Sequence, residues 1–402
     1  MNILNKLFNW MSNENIKKYP KVSMNSFSSR FNLIVSSTNG LLGNGLFILL
    51  FVSTQLKFWV KLGYISLDST FSVHPETIIY CFIEIYLLSL FHFKFNEKFL
   101  HQVHQIWKSL NIDSDHSTRR YFWTKESSYR KMITISYFSM GVSVLLVHAA
   151  SWPYASVSPS EYSIEMLLSE PSVKFWSEML SDIVLYPVCL MQDFIIIDSA
   201  FLAQSALHYI NSQLVIIDKQ LKMNDMKLDI KVIQDLRVKY VLTHRLVKRL
   251  GSFVNPCLFG IFSYYVSILN VKIYKILFIE HNQFYLTIAL INCVGTITEL
   301  FLLIIPIATI TTKSREFHKA LYKLTFNTDS FHYLNEVHIS RVFQSSAKTI
   351  DGFAFSCRFL YRMSFNNIGF SFGGIFMITP DFISSLIAVT VTIIIAIPSF
   401  IS

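Results

Sequence analysis

Six acidic residues of this sequence lie inside or at the edge of long apolar stretches. A carboxylate in such a stretch is costly to bury, and in a protein that crosses a membrane it often marks a ligand site or an ion pathway. No Lys or Arg within the stretches is placed to pair with these acids, which draws attention to Glu84 and Glu299. The plainer interpretation is that some lie at an interface and others pair with nearby hydroxyls. The six acids are Glu76, Glu84, Asp193, Asp198, Glu299 and Asp381.

A second group combines aromatic rings with hydrogen-bonding side chains in the outer halves of the middle apolar stretches. A pocket for a small molecule needs apolar walls and a few placed polar groups. Tyr and Trp near helix ends also form the aromatic belt of membrane proteins. We therefore assign any single residue to the belt and part of the group to a pocket. The predicted ligand-binding residues are Trp152, Tyr186, Gln192, Tyr264, Asn292 and Glu299.

Two histidines, His101 and His104, are spaced to share one face of a helix, and Glu97 precedes them by one turn. Such a set can bind a metal ion, but the surrounding segment is basic and typical of a solvated helix. No Ser-His-Asp order, nucleotide-binding loop or paired-carboxylate motif stands out. The sequence predicts neither an enzyme nor a metal site nor a cofactor.

The last apolar stretch carries small hydroxyl side chains at a helical spacing. Ser385, Thr392 and Ser399 are seven residues apart and share one face of a helix. Such a face can pack against a neighbouring helix, which is its commoner use, or line a narrow pore when several copies surround an axis.

The composition is that of a membrane protein. Of the 402 residues, 52% are hydrophobic and 15% are charged, against about 25% charged residues in soluble domains. The mean hydropathy is +0.42. These values exclude a soluble enzyme, a disordered chain and a disulfide scaffold. The net charge of +9 does not imply a nucleic-acid partner, because Lys and Arg collect in the cytoplasmic loops of membrane proteins.

Stretches long enough to cross a bilayer must be helical, because a spanning backbone has to satisfy its own hydrogen bonds. The sequence therefore predicts an all-α membrane protein with seven transmembrane helices. The predicted spans are 31–54, 71–93, 132–154, about 183–210, 252–271, 283–312 and 373–402.

The basic residues predict the orientation of these spans. Thirty of the 35 Lys and Arg residues fall in alternate loops on one side. Because basic loops stay in the cytoplasm, the N-terminus is predicted inside and the C-terminus outside. This orientation is opposite to that of rhodopsin-type receptors and disfavours them.

The basic loops have helical spacing of their own, over 203–250 and 338–363. Two arrangements fit this pattern. The fourth, fifth and sixth helices extend below the membrane as a bundle, or separate loop helices lie on the inner leaflet.

The C-terminal segment resembles that of insect chemoreceptors. Gustatory receptors of that superfamily end in Thr-Tyr, five hydrophobic residues and Gln-Phe. Here Thr392 and Phe400 match, whereas Ile393 and Ser399 replace Tyr and Gln. The segments 369–381 and 236–268 look like the lead-in to the family's last helix and like its fifth-helix segment. The architecture is similar throughout, with the gustatory receptor family as the primary match and the odorant receptors as the alternative.

The resemblance implies a homo- or heterotetrameric, ligand-gated, non-selective cation channel in the plasma membrane of chemosensory neurons, opened by a small extracellular tastant. It divides the chain into a cytoplasmic tail (1–30), a six-helix bundle holding the ligand pocket (31–312), a cytoplasmic anchor (313–372) and a pore-lining helix (373–402). The implied pore and gate residues are Ser385, Thr392, Ser399 and Phe400.

Two other functions remain open at the level of sequence. A seven-helix receptor without channel activity would use the basic loops to dock a cytoplasmic partner. A transporter would use Glu84, Asp193 and Glu299 as coupling groups.

Overall fold

The computed structural model describes residues 75–150, 170–222, 230–278, 283–338 and 368–401, together with a few residues between 19 and 55. The described residues are almost all helical, which confirms the all-α prediction. The helices are α1 (Pro75–Lys94), α2 (Glu97–Leu110), α3 (His116–Ala150), α4 (Glu170–Lys222), α5 (Ile230–Phe278), α6 (Gln283–His338) and α7 (Pro380–Ile401).

Two predicted regions fall largely outside the described residues. Of the first predicted span, only scattered residues between 44 and 55 are described, and these are helical. Among them, Phe47 stacks on His92 of α1 with ring centroids 4.1 Å apart. Nearly all of the predicted N-terminal tail and the part of the predicted anchor between 339 and 367 lie outside the description.

Three helices are much longer than a bilayer requires. The helices α4, α5 and α6 contain 53, 49 and 56 residues. At 1.5 Å per residue each is about 75–85 Å long, whereas the hydrocarbon core is about 30 Å thick. Of the two arrangements that the sequence allowed, the structure therefore has continuous helical extensions. Within the described residues, three segments are long and apolar enough to cross a membrane: Cys189–Gln220, Lys231–Ile273 and Leu286–Leu324.

Helix α4 lies at the centre of the fold and packs against α3, α5 and α6. From Ile195 to Ala203 almost every side chain is buried, including the polar Asp198 and Ser199. A helix that is buried on all faces belongs to the core of a bundle. Large apolar side chains on the neighbouring helices point outward instead, such as Phe138, which is 74% exposed, and Val294, which is 62% exposed. This distribution is expected of a bundle surrounded by lipid.

A buried ion-pair cluster joins α3 to α4. Arg130 of α3 forms ion pairs with Asp198 of α4 and with Glu126 one turn earlier on its own helix. Its Nε donates to Asp198 Oδ1 at 3.2 Å, and its guanidinium lies 5.1 Å from the centre of the Phe194 ring. The sequence predicts no partner for Asp198 among basic residues inside the spans, and its partner here comes from outside them. Arg130 lies two residues before the third predicted span, and the helix carries it against α4.

Glu126 in this cluster has an altered acidity. Burial, followed by the negative charge of the neighbouring Asp198, raises the pKa of the Glu126 carboxyl to about 7, while Arg130 opposes the shift. The cluster therefore holds two carboxylates against one guanidinium.

A polar link joins α3, α4 and α6 one and a half turns further along α4. The Tyr121 hydroxyl donates to Gln204 Oε1 at 2.7 Å, and Gln204 Nε2 donates to the backbone oxygen of Pro306 at 2.6 Å. Because proline lacks a backbone N–H, Pro306 interrupts the hydrogen bonding of α6 at this level. Gln204 thus fixes α4 to the weakened turn of α6.

The start of the seventh predicted span is not helical, which corrects its boundary. Residues Ser371–Phe372 (β1) and Phe376–Met377 (β2) form an antiparallel hairpin, and α7 begins only at Pro380. The turn uses Gly373 and Gly374 at φ values of 59° and 85°, where a side chain would be strained. The two glycines counted as part of an apolar span therefore reverse the chain.

The hairpin is fixed to two helices. The Ser371 backbone N–H donates to Asn255 Oδ1 of α5 at 3.0 Å, and the Gly373 N–H donates to the Asn255 backbone oxygen at 3.3 Å. From α6, the Thr311 hydroxyl donates to the Ile378 backbone oxygen at 2.9 Å. The hairpin thus sets the position from which α7 begins.

Three aromatic rings connect α5, the hairpin and α7. Phe262 of α5 lies 5.5 Å from Phe372 of β1 and 5.9 Å from Phe382 of α7, and the last two rings are also 5.9 Å apart, measured between centroids. We call these three residues the aromatic joint. Aromatic pairs at such distances stabilise a contact beyond the area that they bury.

Candidate functional site

Five helices enclose a polar cavity of about 70 Å³. Its walls come from α1, α3, α4, α5 and α6, so that nearly every long helix contributes. Residues lining it are Glu84, Leu87, Leu88, Tyr137, Met140, Cys189, Gln192, Asp193, Ile261, Tyr264, Tyr265, Ile268, Lys272, Thr296 and Glu299. Apolar walls with several convergent polar groups are the usual form of a small-molecule site.

Two close helix contacts shape the walls of this cavity. A Cβ added at Gly295 of α6 would lie 2.7 Å from Met140 Cγ of α3, and one added at Gly260 of α5 would lie 2.8 Å from Leu87 Cδ2 of α1. The Ser136 hydroxyl also donates to the Gly295 backbone oxygen at 3.2 Å. Small residues at these positions let the helices approach closely, as they commonly do in membranes. The chain thereby brings polar residues of α3 and α6 within reach of one another.

Three carboxylates line the cavity from three different helices. The exposed fractions of Glu84 on α1, Asp193 on α4 and Glu299 on α6 are 5%, 2% and 0%. We call these the cavity acids. All three are among the carboxylates that the sequence analysis finds within apolar stretches, and the fold places them around this one cavity. Of the other three, Asp198 is paired with Arg130, Asp381 is exposed at the start of α7, and the side chain of Glu76 lies outside the description.

Hydroxyl groups form a chain that ends at Asp193. Tyr137 donates to Asp193 Oδ2 at 2.8 Å, and the hydroxyls of Tyr137 and Tyr265 are 3.2 Å apart. Since the Tyr137 proton points to Asp193, Tyr265 is the donor in the second contact. The plainer interpretation of Asp193, an acid paired with a hydroxyl, is thus correct for this residue.

Glu299 differs from Asp193 in its hydrogen bonding. Tyr137, Tyr265 and Asp193 lie close enough to interact with its carboxylate. Nevertheless, neither Glu299 oxygen has a hydrogen-bond partner of acceptable geometry. Buried polar groups are nearly always paired in folded proteins, so such a carboxylate needs an explanation.

Lys272 of α5 also lines the cavity, which the sequence reasoning missed. Its Nζ donates to Thr296 Oγ1 at 3.4 Å, and it is near enough to Glu299 for their charges to interact. Lys272 lies one residue beyond the fifth predicted span, and it reaches the cavity because α5 continues past that span. The signal was present in the spacing, since Lys272 follows Tyr265 by seven residues and lies on the same helix face.

The predicted ligand-binding residues separate into three groups. Gln192, Tyr264 and Glu299 line the cavity. Asn292 does not line it. Its Oδ1 accepts a hydrogen bond from the Ser143 hydroxyl between α3 and α6. Only the backbone of Tyr186 is described, and Trp152 lies outside the described residues. Tyr137 had no sequence signal that distinguished it from other tyrosines near helix ends.

The predicted pore residues that are described lie on the outside of the chain. Ser385 and Thr392 are exposed, and their hydroxyls donate to backbone oxygens one turn earlier, Asp381 at 3.0 Å and Ala388 at 2.8 Å. The opposite face of α7 packs on the core through Phe382, Ile383 and Leu386. Of Ser399 and Phe400, only the helical backbone is described. The hydroxyl stripe, where described, therefore does not serve packing within the chain.

The histidine pair is exposed, as the solvated-helix interpretation predicts. His101 and His104 lie on the outer face of α2, whose inner face buries Phe99, Val103 and Trp107. His101 Nε2 is 2.8 Å from Gln105 Nε2, one turn along the same helix. Across the described residues, no group of three or more His, Cys, Asp or Glu side chains is arranged to hold a metal ion.

Comparison with known proteins identifies the fold. No protein-family model matches the chain, and no curated protein matches its sequence. Solved structures that match include two at 12% identity, both of the insect olfactory receptor OR5 from Machilis hrabei. One superposes with a TM-score of 0.62 over 98% of this chain and 97% of that one. The other, a complex with eugenol, superposes with a TM-score of 0.60 over 95% and 93%. Over nearly its whole length, this chain has the fold of an insect olfactory receptor.

Proposed function

We propose that this chain is a subunit of a chemosensory, ligand-gated, non-selective cation channel that a small extracellular molecule opens. The whole-length agreement with the fold of an olfactory receptor is the observation that carries this proposal. The C-terminal pattern, with Thr392 and Phe400 at the spacing of the insect chemoreceptors, supports it independently. The protein would lie in the plasma membrane of chemosensory neurons, with its N-terminus inside and its C-terminus outside.

In this proposal the ligand binds in the polar cavity. The cavity lies between helices of the bundle rather than at its surface, and it combines tyrosine rings with placed polar groups. The olfactory receptor of the same fold binds eugenol in one of its structures. Gln192, Tyr264 and Glu299 are the predicted ligand-binding residues that line it.

The aromatic joint would transmit binding to the pore helix. Ile261, Tyr264 and Tyr265 of α5 face the cavity, while Phe262 between them contacts Phe382 of α7. One turn of α5 therefore touches both the ligand site and the helix that would line the pore. A small shift of α5 on ligand binding would be passed directly to α7, because packed helices move as units.

The pore would form where α7 helices of four subunits meet. The exposed hydroxyls of Ser385 and Thr392 would face the axis, with Ser399 near the outer end and Phe400 as an apolar gate. Hydroxyl groups let hydrated cations pass without binding them tightly, and a ring of phenylalanines can close a path by dewetting. The segment 313–372 would hold the subunits together as the cytoplasmic anchor.

We infer a tastant as the ligand, because the C-terminal spacing follows the gustatory pattern. An odorant receptor subunit is the alternative, and the structural neighbours support it equally well. Heterologous expression with cation imaging, against a panel of tastants and odorants, separates the two by which compounds evoke a signal. Responses in cells that lack G-protein signalling would exclude a receptor that works through a cytoplasmic partner.

A transporter is the second candidate, favoured by one observation. The three acids that would serve as coupling groups, Glu84, Asp193 and Glu299, line the same cavity. Saturable uptake of a compound without unitary conductance would identify a transporter and overturn the channel.

A further inference from the structure

Acidic side chains outnumber basic ones in the cavity lining. Its described lining carries the three cavity acids and a single ammonium group, that of Lys272. Lys272 and Glu299, both among the described residues, form no ion pair, since the Lys272 Nζ donates to Thr296 Oγ1 instead. The lining therefore favours a positively charged occupant.

Glu299 is the group that most requires such an occupant. It is fully buried, faces the cavity and has no hydrogen-bond partner at either carboxylate oxygen. An ionised carboxylate in this condition loses its hydration without compensation. The Asp193 carboxyl lies close by and adds a second acidic group to the cavity.

The neighbouring tyrosines direct their hydroxyl protons elsewhere and do not donate them to Glu299. A tyrosine has one hydroxyl proton to donate. The proton of Tyr265 is directed at Tyr137, and the proton of Tyr137 is directed at Asp193. The hydroxyl chain thus satisfies Asp193 and directs no tyrosine proton at Glu299.

We propose that the ligand of this cavity is a small organic ammonium ion, whose N–H groups donate to Glu299 and approach Asp193. This inference rests on the proposed function insofar as the ligand opens the channel. A primary ammonium supplies both a positive charge and up to three donors. Tyr137, Tyr264 and Tyr265 line the same space, and aromatic rings attract a nearby cation.

The cavity size limits the rest of the ligand. A cavity of about 150 Å³ can hold benzene, whereas this one measures about 70 Å³. A short aliphatic amine therefore fits better than an aromatic one. A bare metal ion is disfavoured, because no three His, Cys, Asp or Glu side chains among the described residues are grouped to hold one.

The first experiment needs no substitution. Linear primary amines of two to six carbons, each paired with the alcohol of the same length, are added to the purified full chain in detergent at neutral pH. Binding is measured by the rise in thermal stability, and currents are recorded from cells that express the chain. The best amine should bind at least about tenfold more tightly than its alcohol, as expected of charge-assisted hydrogen bonds.

The second experiment uses matched variants. Glu299→Gln keeps the shape but removes the charge, and it should weaken binding of the best amine at least about tenfold while leaving alcohol binding nearly unchanged. Glu316→Gln removes an exposed acid from the same helix and should leave amine binding and alcohol binding unchanged. Lys272→Gln removes the only ammonium of the described lining and should tighten amine binding.

The outcomes distinguish this inference from the proposed function. Amine-selective binding that Glu299→Gln abolishes supports the inference, whether or not current flows. Such binding without any current would overturn the proposed channel function and leave the inference about the ligand standing. If no amine binds better than its alcohol, or if Glu299→Gln leaves the amine preference intact, the inference is wrong, even where neutral compounds open the channel.

Discussion

Replacing Arg130 by methionine should destabilise the bundle more than any surface change of the same kind. The substitution keeps a similar side-chain length but removes the guanidinium that pairs with Asp198 and Glu126. Both acids are buried, with exposed fractions of 4%. Two carboxylates would then face each other between α3 and α4 without a positive charge.

The expected size follows from this burial. Removing one partner of a buried ion pair costs about 3–5 kcal/mol. The Arg130 side chain is 20% exposed, so that water reduces the loss and we expect about 3 kcal/mol. At roughly 2 °C per kcal/mol, which is the lower end for larger domains, the apparent melting temperature should fall by about 6 °C.

The assay measures thermal unfolding of detergent-solubilised protein. Fluorescence-detected size-exclusion chromatography monitors the unfolding, and every variant is heated by the same protocol. Adding Asp198→Asn to Arg130→Met should recover part of the loss, because the unpaired charge is removed. Arg315→Met is the control, since the Arg315–Asp381 pair is exposed and 3.9 Å apart, and such pairs contribute about 0–1 kcal/mol. Equal shifts in Arg130→Met and Arg315→Met, or no recovery in the double variant, would refute this account of the cluster.

Three further predictions concern acidity, coupling and the gate. Folding raises the pKa of Glu126 from 4.5 to about 7, so the folded state binds more protons than the unfolded state between these pH values. The contribution of Glu126 to the free energy of unfolding therefore falls as pH rises from 4.5 to 7. Glu126→Gln should flatten that part of the melting-temperature profile, and an unchanged profile would contradict it. Phe262→Ala removes the aromatic contact between α5 and α7, so it should lower the maximal current at least several-fold while the ligand affinity stays within about twofold. Equal losses of binding and current would contradict a coupling role for Phe262. In whole-cell recordings, Phe400→Ala should give cation leak without ligand, and Ser399→Gln should alter relative cation permeability. If basal current and permeability ratios are unchanged at normal surface expression, α7 does not line the pore.

The sequence predicted the cavity only in part, and the reason lies in how helices pack. Long apolar stretches identified Glu84, Asp193 and Glu299 one by one, because a carboxylate is conspicuous among apolar residues. Their convergence depends on which faces of α1, α4 and α6 meet, and a single sequence does not contain that information. Tyr137 has the same limitation, since its position beside Asp193 follows from the packing of α3 against α4.

The positions of Arg130 and Lys272 differ from the sequence prediction for one physical reason, the length of their helices. Arg130 and Lys272 were assigned to loops because they lie just beyond apolar stretches, yet α3 and α5 continue through them. Hydropathy reports where a helix contacts lipid, not where its hydrogen bonding ends. The hairpin at Gly373 and Gly374 was missed for the opposite reason, since its apolar residues resemble those of a span.

Single-channel recording of the purified chain in planar lipid bilayers tests the central claim most directly. Small amines and a panel of neutral tastants and odorants are applied, and the same compounds are tested for binding by thermal stabilisation. A compound that binds should evoke unitary cation currents, and a positively charged thiol reagent should reduce these currents in a Ser385→Cys variant. A compound that binds without evoking any current would contradict the channel.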